Sequence, residues 1–444
     1  MNELAPGWAL STVGEVGKVM LGRQRAPRYH KGPNMRPYLR VKNVFENRID
    51  LSDVKTMEFS PADYERYRLE PGDILLNEGQ SPELIGRSAM YRGELPGACF
   101  TNSLIRFQPH DGIDGRFALF VFLHHLRSGR FMREARITTN IAHLSSSRFS
   151  SVEFPVPPLN EQRRIVAAIE VQLSRLDAAD ASLAAARRRL RAILRPIRER
   201  AIESGLERTL GELLNGIEAG KSFKCHSRAA DPDEWGVVKV SAMTWGIFNE
   251  RENKAVISDE RVDTRWEINP GDLLLSRANT TDYVGATVLV GECRNRLLLS
   301  DESMRLLVAD GVHRPWLLHA LSAPGVRAQM SAVATGTSDS MRNISQAKVN
   351  SIRLRVPPLE EQRRIVAEVE ERLSVIDAMR ASIERAERRS ATLRRSILER
   401  AFRGELVPQD PSDEPASVLL DRIRAKRDAG DADHGSRRRR TDLR

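Results

Sequence analysis

Apolar side chains recur at intervals of seven residues in two stretches of the chain. A heptad repeat sustained over about five heptads favours a coiled coil over ordinary core helices, which are the alternative. We therefore predict two helices of about 40 residues, ~60 Å long at 1.5 Å per residue, that pair antiparallel within the chain. The predicted seam consists of Ile169, Leu176, Leu183, Leu190, Ile197, Val369, Ile376, Ile383, Leu393 and Ile397.

Both stretches begin with the same motif. The letters Val-Pro-Pro-Leu-x-Glu-Gln-Arg-Arg-Ile-Val-Ala occur at 156–167 and again at 356–367, and 27 of 51 positions are identical between 156–206 and 356–406. The prolines favour an extended approach, Asn160 or Glu360 stands where a helix cap is expected, and the glutamate that follows suits the helix N-terminal dipole. We expect Pro196 to kink or end the first helix.

The regions before each helix contain short apolar runs bounded by Gly, Pro, Asn and Asp, which is typical of strands and turns. Strands are predicted at 74–76, 88–91, 104–107, 273–275 and 286–290, and helices at 117–127 and 314–322. These regions also share weaker motifs, such as Pro-Gly-Asp at 71–73 and 270–272. The fold class is therefore α+β, with two globular domains separated and followed by long helices. The predicted parts are 1–155, 156–206, 207–355, 356–428 and a basic, disordered tail at 429–444.

The charge balance favours a polyanionic partner but does not establish one. The chain carries 70 Lys and Arg against 60 Asp and Glu, a formal net charge of +10, and only ten of the basic residues are lysines. Arginine suits bidentate contacts to phosphate and guanine. An arginine-rich codon bias gives the same skew, so composition alone leaves both explanations open.

Several classes of protein do not fit the sequence. No apolar run approaches the roughly 18 residues of a membrane span, and residues 1–10 lack a signal-peptide pattern, so we expect a cytoplasmic protein. Cys99, Cys225 and Cys293 are too few and too scattered for a disulfide framework, and no ligand spacing indicates a metal site.

No catalytic motif stands out either. The chain lacks the Asn-Pro-Pro-Tyr type of motif expected of an amino-methyltransferase. Residues 216–222 resemble a phosphate-binding loop, but they have three intervening residues where four are required. We expect a turn there rather than a nucleotide site.

The duplicated segment, the domain organisation and the ending Phe-Arg-Gly-Glu-Leu-Val-Pro-Gln-Asp-Pro at 402–411 resemble the specificity subunits of type I restriction-modification systems. The resemblance covers nearly the whole chain. It implies two target recognition domains that each read one half of an interrupted double-stranded DNA sequence, with the helices setting the unread spacer. It implies two modification subunits as partners, which bring S-adenosylmethionine and methylate adenine, and restriction subunits, which use ATP and magnesium. It implies no catalytic residue and no cofactor in this chain.

Two groups of residues are candidates for DNA contacts. Basic side chains near the start of each globular domain suit phosphate anchoring, although a solvated charged loop has the same composition. Polar side chains in later segments can pair with adenine or guanine, although turns are commonly polar. The basic candidates are Arg23, Arg25, Arg28, Lys31, Arg36, Lys221, Lys224 and Arg228. The base-reading candidates are Asn77, Gln80, Asn140, Arg277, Asn279 and Arg342.

Two other functions stay open at this stage. A noncatalytic coiled-coil scaffold that does not read DNA explains the heptads, but not the duplicated domains or the positive charge. An enzyme with an unrecognised site in a globular domain is the second. Sequence-specific, salt-sensitive DNA binding separates the first from a specificity subunit, and methylation or cleavage by the chain alone identifies the second.

Overall fold

The computed structural model describes residues 4–138, 140–258, 260, 262–339 and 341–441. The chain forms two compact units, of which unit 1 contains residues 1–181 and 386–444 and unit 2 contains residues 182–385. Two long helices contribute to both units. We describe each unit by itself.

Unit 1 is built mainly from short strands and short helices. Its helices are α1 Val13–Val16, α2 Pro61–Tyr67, α3 Gly115–Arg127, α4 Arg130–Glu134, α5 Ser146–Ser150, the first part of α6 Leu159–Glu199, the last part of α10 Leu359–Phe402, and α11 Ala416–Thr441. Its strands are β1 Ala9–Thr12, β2 Gly17–Leu21, β3 Met35–Leu39, β4 Val44–Phe45, β5 Arg48–Ile49, β6 Lys55–Glu58, β7 Ile74–Asn77, β8 Gly79–Gln80, β9 Ser88–Met90, β10 Cys99–Phe100, β11 Leu104–Pro109, β12 Arg136–Thr138, β13 Ile141–His143 and β14 Glu153–Val156.

Unit 2 repeats this composition. Its helices are the rest of α6 and α10 together with α7 Arg314–Ser322, α8 Pro324–Val333 and α9 Gln346–Asn350. Its strands are β15 Leu206–Thr209, β16 Leu214–Ala219, β17 Gly236–Val238, β18 Asn253–Ala255, β19 Leu273–Ser276, β20 Ala278–Asn279, β21 Thr287–Leu289, β22 Leu297–Leu298, β23 Ser303–Val308, β24 Thr335–Ser338, β25 Met341–Asn343 and β26 Arg353–Val356. The strands and helices predicted from the apolar runs are present within two residues of their expected bounds.

The two units share one strand topology. In unit 1 the sheets have the orders β2-β11-β7-β9, β10-β3-β6 and β12-β13-β8, and in unit 2 they have the orders β16-β23-β19-β21, β22-β17-β18 and β24-β25-β20. The β3/β10 and β17/β22 pairs are parallel, whereas the other pairs are antiparallel. The predicted α+β class is confirmed, because the same α+β scaffold is built twice.

The repeated Pro-Gly-Asp motif is a turn that leads into the buried centre of each four-stranded sheet. Gly72 and Gly271 have φ angles of 101° and 89°, a left-handed conformation that glycine adopts without strain. The aspartate that follows accepts a hydrogen bond from the backbone N–H three residues earlier, at 3.0 Å for Asp73 and 2.9 Å for Asp272. The motif therefore fixes where β7 and β19 begin.

The long helices have 41 and 44 residues. In unit 1, Asp177 and Asp180 of α6 each accept a hydrogen bond of 2.7 Å from Arg394 of α10. In unit 2, Arg200 stands in the 3₁₀ turn directly after α6. Its guanidinium lies 3.4 Å from the carboxylate of Glu368 in α10. Residue numbers rise along one helix as they fall along the other, so the predicted antiparallel pairing is confirmed within each unit.

Two local expectations about α6 need correction. Pro196 does not end the helix, which continues to Glu199 and is followed by a 3₁₀ turn at Arg200–Ile202. Asn160 is not the cap, because the helix begins at Leu159 and Gln162 N–H donates to the Pro158 carbonyl. The Asn160 side chain instead donates to Asp413 at 3.1 Å. Glu360 likewise lies inside the first turn of α10.

The repeated glutamine explains why the motif returns in both helices. Gln162 and Gln362 are buried, and each donates to the carbonyl of the first proline, at 3.0 Å and 2.9 Å. Their carbonyl oxygens accept from Asp114 N at 2.9 Å and His313 N at 2.8 Å. Each glutamine therefore joins the start of a long helix to the start of α3 or α7. Because both amides are satisfied, their burial costs little.

Burial separates the predicted seam into two classes. Most of its positions are buried or half-buried against the core of their own unit. Leu393 is the exception, since 42 % of its side chain is exposed, so placing it in the seam was wrong. Ser390, which interrupts the heptad, is buried instead. Ile193 and Met379, which occupy the same heptad position as Leu393 in their helices, are also about half exposed.

The C-terminal segment is helical where disorder was expected. Helix α11 runs from Ala416 to Thr441, so residues 429–441 continue a helix that begins in the folded unit. Its first turns are anchored because Ala416, Leu419, Leu420 and Ile423 belong to the core of unit 1. Residues 442–444 of the predicted tail lie outside the described residues. None of the helices in the described ranges combines the length and apolar character that crossing a membrane requires.

Candidate DNA interface

The basic loop of unit 1 divides into one buried arginine and four exposed cations. Arg23 is buried, forms a 3.0 Å ion pair with Asp63, and donates to the Glu58 carbonyl. Its guanidinium also lies 4.0 Å from the centre of the Tyr29 ring. Since these contacts occupy the guanidinium, Arg23 is a structural residue and was wrongly placed among the DNA contacts.

The four other candidates of this loop are exposed to solvent. Three of them lie over tyrosine rings, with 5.7 Å from Arg25 to Tyr38, 4.9 Å from Arg28 to Tyr29, and 4.5 Å from Arg36 to Tyr64. These rings pack on a single apolar cluster that also contains Phe59 and Cys99. We call Arg25, Arg28, Lys31 and Arg36, with their tyrosines, the arginine–tyrosine surface. Cation–π contacts of this kind hold long side chains in defined orientations.

The corresponding basic region of unit 2 is smaller. Lys221 and Lys224 are exposed, and the Lys221 ammonium lies 5.0 Å from the centre of the Trp266 ring. Arg228 forms two 2.6 Å hydrogen bonds with Glu234. These bonds lower the pKa of Glu234 to about 2, which marks a close ion pair. Arg228 is therefore less available to an external anion than the two lysines.

The segment that resembles a phosphate-binding loop is a strand rather than the expected turn. Residues 216–219 belong to β16, which pairs with β23. At Gly220 an added Cβ would lie 2.2 Å from the Ser300 carbonyl oxygen, and at Gly22 it would lie 2.3 Å from that of Thr101. The glycine is therefore explained by close backbone approach at equivalent places in both units.

The base-reading candidates of unit 1 lie around the β12–β13 hairpin. Gln80 is half-buried in β8 and pairs with Ala142 of β13. Asn140 is exposed in the turn of the hairpin, and Ile137 and Ile141 are both more than half exposed beside it. Asn77 is fully buried in β7, so including it was wrong: its side chain faces the Val44 carbonyl at 3.5 Å, away from solvent.

Unit 2 has the equivalent hairpin, formed by β24 and β25. Asn279 in β20 pairs with Arg342 in β25, so the structure brings these two candidates together. Their side chains also have internal partners, since Asn279 Nδ2 lies 3.4 Å from Ser276 Oγ and Arg342 donates to the Ala334 carbonyl at 2.6 Å. Arg277 is half-buried and donates to the Asp301 carbonyl at 3.3 Å.

The sequence interpretation missed one exposed arginine beside an aromatic ring in each unit. Arg66 lies 5.4 Å from the Tyr67 ring, and Arg265 lies 4.3 Å from the Trp266 ring. The signal was present, because in both units an arginine and an aromatic residue stand five and four positions before the proline of the Pro-Gly-Asp motif. Across the described part of the chain, no group of His, Cys, Asp and Glu has the arrangement of a metal site.

The sequence is similar to a known protein family and to several of its members. Residues 6–181 match the type I restriction modification DNA specificity domain. The chain is 25 % identical to the EcoKI specificity subunit of Escherichia coli K12 over 99 % of both chains. It is 23 % identical to the StySPI specificity subunit of Salmonella potsdam over 96 % of both.

A comparison with solved structures shows a similar fold. A chain from a solved structure concerned with complex assembly and conformational transition of the type I R-M system superposes with a TM-score of 0.70 at 20 % identity. The match covers 91 % of this chain and all of the other. At that identity the likeness establishes the fold. With the duplicated scaffold and the repeated helix motif, the chain is similar over nearly its whole length to type I restriction-modification specificity subunits.

Proposed function

We propose that this chain is the noncatalytic DNA specificity subunit of a type I restriction-modification complex, with each unit reading one half of an interrupted target. The observation that carries the proposal is the duplicated scaffold with different exposed side chains. Both units build the same three sheets, yet Gln80 and Asn140 accompany the hairpin of unit 1 where Asn279 and Arg342 accompany that of unit 2. Two units with the same scaffold but different polar side chains at the hairpins suit a DNA target whose two halves differ in sequence.

The exposed cations support contact with the DNA backbone. The arginine–tyrosine surface of unit 1 and the two lysines of unit 2 present positive charge near the start of each recognition domain. Phosphate contacts of this type fix the position of a protein on DNA, whereas the side chains of the hairpins would read base edges. Asn140 is the best-placed candidate of the hairpins because its side chain is exposed at the turn.

The paired helices support docking of two modification subunits. In unit 2 a groove of about 800 Å³ lies between the helices, and in unit 1 a groove of about 270 Å³ occupies the corresponding place. Seven lining positions are related by the offset of 200 residues, so one partner surface could bind twice. These positions are Ile193, Pro196, Ile197, Arg200, Arg372, Val375 and Ile376 in unit 2, and Leu393, Ser396, Ile397, Arg400, Gln172, Arg175 and Leu176 in unit 1.

In this proposal the chemistry belongs to the partners in the cytoplasm. The modification subunits would supply S-adenosylmethionine, and the restriction subunits would use ATP and magnesium. The chain would contribute recognition and the spacing between the half-sites.

Exchange of one recognition domain tests the proposal. Residues 1–155 are replaced by the corresponding domain of a relative with a different target, and residues 207–355 are replaced in a matched second chimera. Each chimera is expressed with the modification subunit, and methylated adenines are mapped across the host genome. We expect each exchange to change one half of the methylated motif and leave the other half intact. An unchanged motif in both chimeras would exclude modular reading.

The exposed grooves alone would also suit a coiled-coil scaffold that joins proteins without reading DNA. Such a scaffold would form the complex with the modification subunits but show no preference for the methylated sequence in a binding assay. Methylation or cleavage by the purified chain alone would instead indicate an enzyme and contradict the proposal.

A further inference from the structure

An exposed arginine beside an aromatic ring occurs at the same position in both units. The pairs are Arg66 with Tyr67 and Arg265 with Trp266, and both precede the Pro-Gly-Asp turn by the same number of residues. At the hairpins, in contrast, the exposed polar side chains of the two units differ. A feature that both units retain has a task that does not depend on which bases are read.

A buried arginine lies beneath each pair. Arg106 is 9 % exposed and donates to the carbonyls of Arg68 at 2.7 Å and Arg66 at 3.3 Å. Its counter-ion is Asp73, at 3.4 Å. Burial raises the pKa of Asp73, while the backbone N–H of Glu70 and the charge of Arg106 favour its ionised form.

Unit 2 repeats the arrangement. Arg305 is 8 % exposed, donates to the Arg265 carbonyl at 3.0 Å, and also donates to the Glu267 carbonyl. Its counter-ions are Asp272 and Glu218, each at 2.9 Å. A buried guanidinium with this many partners fixes the carbonyls that it binds, because breaking the arrangement leaves a charge without solvent or partner. The short helical segment that displays each exposed arginine is therefore held in place at its C-terminal end.

The outer face of each pair remains open to a ligand. Arg66 is exposed, and within the described residues it forms no ion pair. The Arg265 side chain is 67 % exposed; its Nε pairs with Asp263 at 3.0 Å, which leaves the two terminal nitrogens. Lys221 adds a second cation over the same Trp266 ring. Each ring also packs edge-on against a phenylalanine, Tyr67 on Phe100 at 6.0 Å and Trp266 on Phe223 at 6.1 Å between ring centres.

We propose that Arg66–Tyr67 and Arg265–Trp266 are equivalent clamps on the DNA backbone, one for each half-site. The terminal nitrogens of each guanidinium bind a phosphate, and the aromatic ring packs against the adjoining sugar. Arg106 and Arg305 are positioning residues that hold the clamps. The proposal rests on the proposed function, since it names how each recognition domain holds its half-site independently of sequence. Phosphate contacts carry no base information, which explains why both units keep the same device.

The clamps are tested in the complete complex with the modification subunits. Arg66→Ala and Arg265→Ala are compared with the original chain for binding to a cognate duplex over a series of salt concentrations. We expect each substitution to weaken binding roughly threefold to tenfold and to lower the slope of log K against log salt by about one. The methylated motif should not change. Arg116→Ala and Arg353→Ala remove the same charge from arginines paired with Glu170 and Glu207, and should leave the slope unchanged.

The outcomes separate this inference from the proposed function. Specific binding by the original complex with an unchanged slope in Arg66→Ala and Arg265→Ala overturns the clamps alone. Absence of specific binding by the original complex overturns the proposed function. Equal losses in the control variants would indicate a general charge effect and also contradict the clamps.

The positioning role has its own readout. Arg305→Lys keeps the charge beside Asp272 but loses the fork that reaches two carbonyls. We expect it to reduce affinity and salt slope in the same direction as Arg265→Ala, and the double variant to be little worse than Arg265→Ala. A purely structural Arg305 would lower the melting temperature but leave the salt slope of the folded complex intact.

Discussion

At the scale of single residues, His125 is the side chain whose burial has the clearest consequence. It lies in α3, where its Nε2 is 2.9 Å from the Glu153 carbonyl and its ring packs on Phe131. Burial, with a smaller contribution from the charge of neighbouring His124, lowers its pKa to about 4, from an ordinary value of 6.5. The folded state therefore contains a neutral imidazole at pH values where the unfolded chain is protonated.

This predicts a loss of stability in acid. As the pH falls from about 6.5 to 4, the unfolded chain gains a proton that folded His125 does not, so unit 1 should lose up to about 3 kcal/mol of stability from this residue alone. His125→Gln keeps a donor for the Glu153 carbonyl but does not titrate, so its stability should decline less over that range. Thermal unfolding from pH 7.5 to 4.5 measures the difference, and exposed His30→Gln is the control. A constant difference between His125→Gln and the original chain would contradict the prediction.

At the scale of elements, the long helices carry two apolar columns with different tasks. Ile397 is 9 % exposed and belongs to the core of unit 1, whereas Leu393, one turn earlier, is 42 % exposed. The heptad identifies both as apolar positions of the same helix. Only the packing of α6 and the globular domain against α10 decides which one is buried.

Truncation of these two side chains should separate stability from docking. Ile397→Ala should cost about 2–4 kcal/mol, because it removes buried atoms and leaves a cavity, while Leu393→Ala should cost less than about 1 kcal/mol. Chemical denaturation measures both. If Leu393 contacts a modification subunit, Leu393→Ala should weaken assembly of the complex in a pull-down while the chain stays folded. Equal destabilisation by both substitutions would show that Leu393 is a core residue after all.

At the scale of the whole molecule, the proposed function makes the paired helices responsible for the unread spacer. Seven residues inserted after Ala179, with seven more after Ser390 on the facing segment of α10, would extend the pair by ~10 Å. That length corresponds to about three base pairs. We expect the methylated motif to keep both half-sites and gain about three unread positions, as read from mapped methylated adenines. An unchanged spacer would contradict a ruler role for the helices. A variant with seven residues inserted into only one of the two helices controls for disrupted pairing.

Local pattern accounts for most of the architecture. The offset of 200 residues revealed two copies of one unit, the heptads predicted two long helices, and the apolar runs predicted strands such as β7 and β19. These signals are local because strand and helix periodicity are set by neighbouring residues. The C-terminal helix shows the limit, since α11 extends a segment whose composition suggested disorder but whose first turns pack on unit 1.

By itself, the sequence determined the duplication, the α+β class, the antiparallel helices and the family resemblance. Tertiary structure decided which polar residues are free to act. Arg23 and Asn77 have the right chemistry for DNA, but residues distant in sequence bury them. Arg66 and Arg265 are exposed, and their backbone carbonyls accept hydrogen bonds from buried arginines of β11 and β23. The physical reason is that availability depends on desolvation and on hydrogen-bond partners, which are supplied by strands far away along the chain.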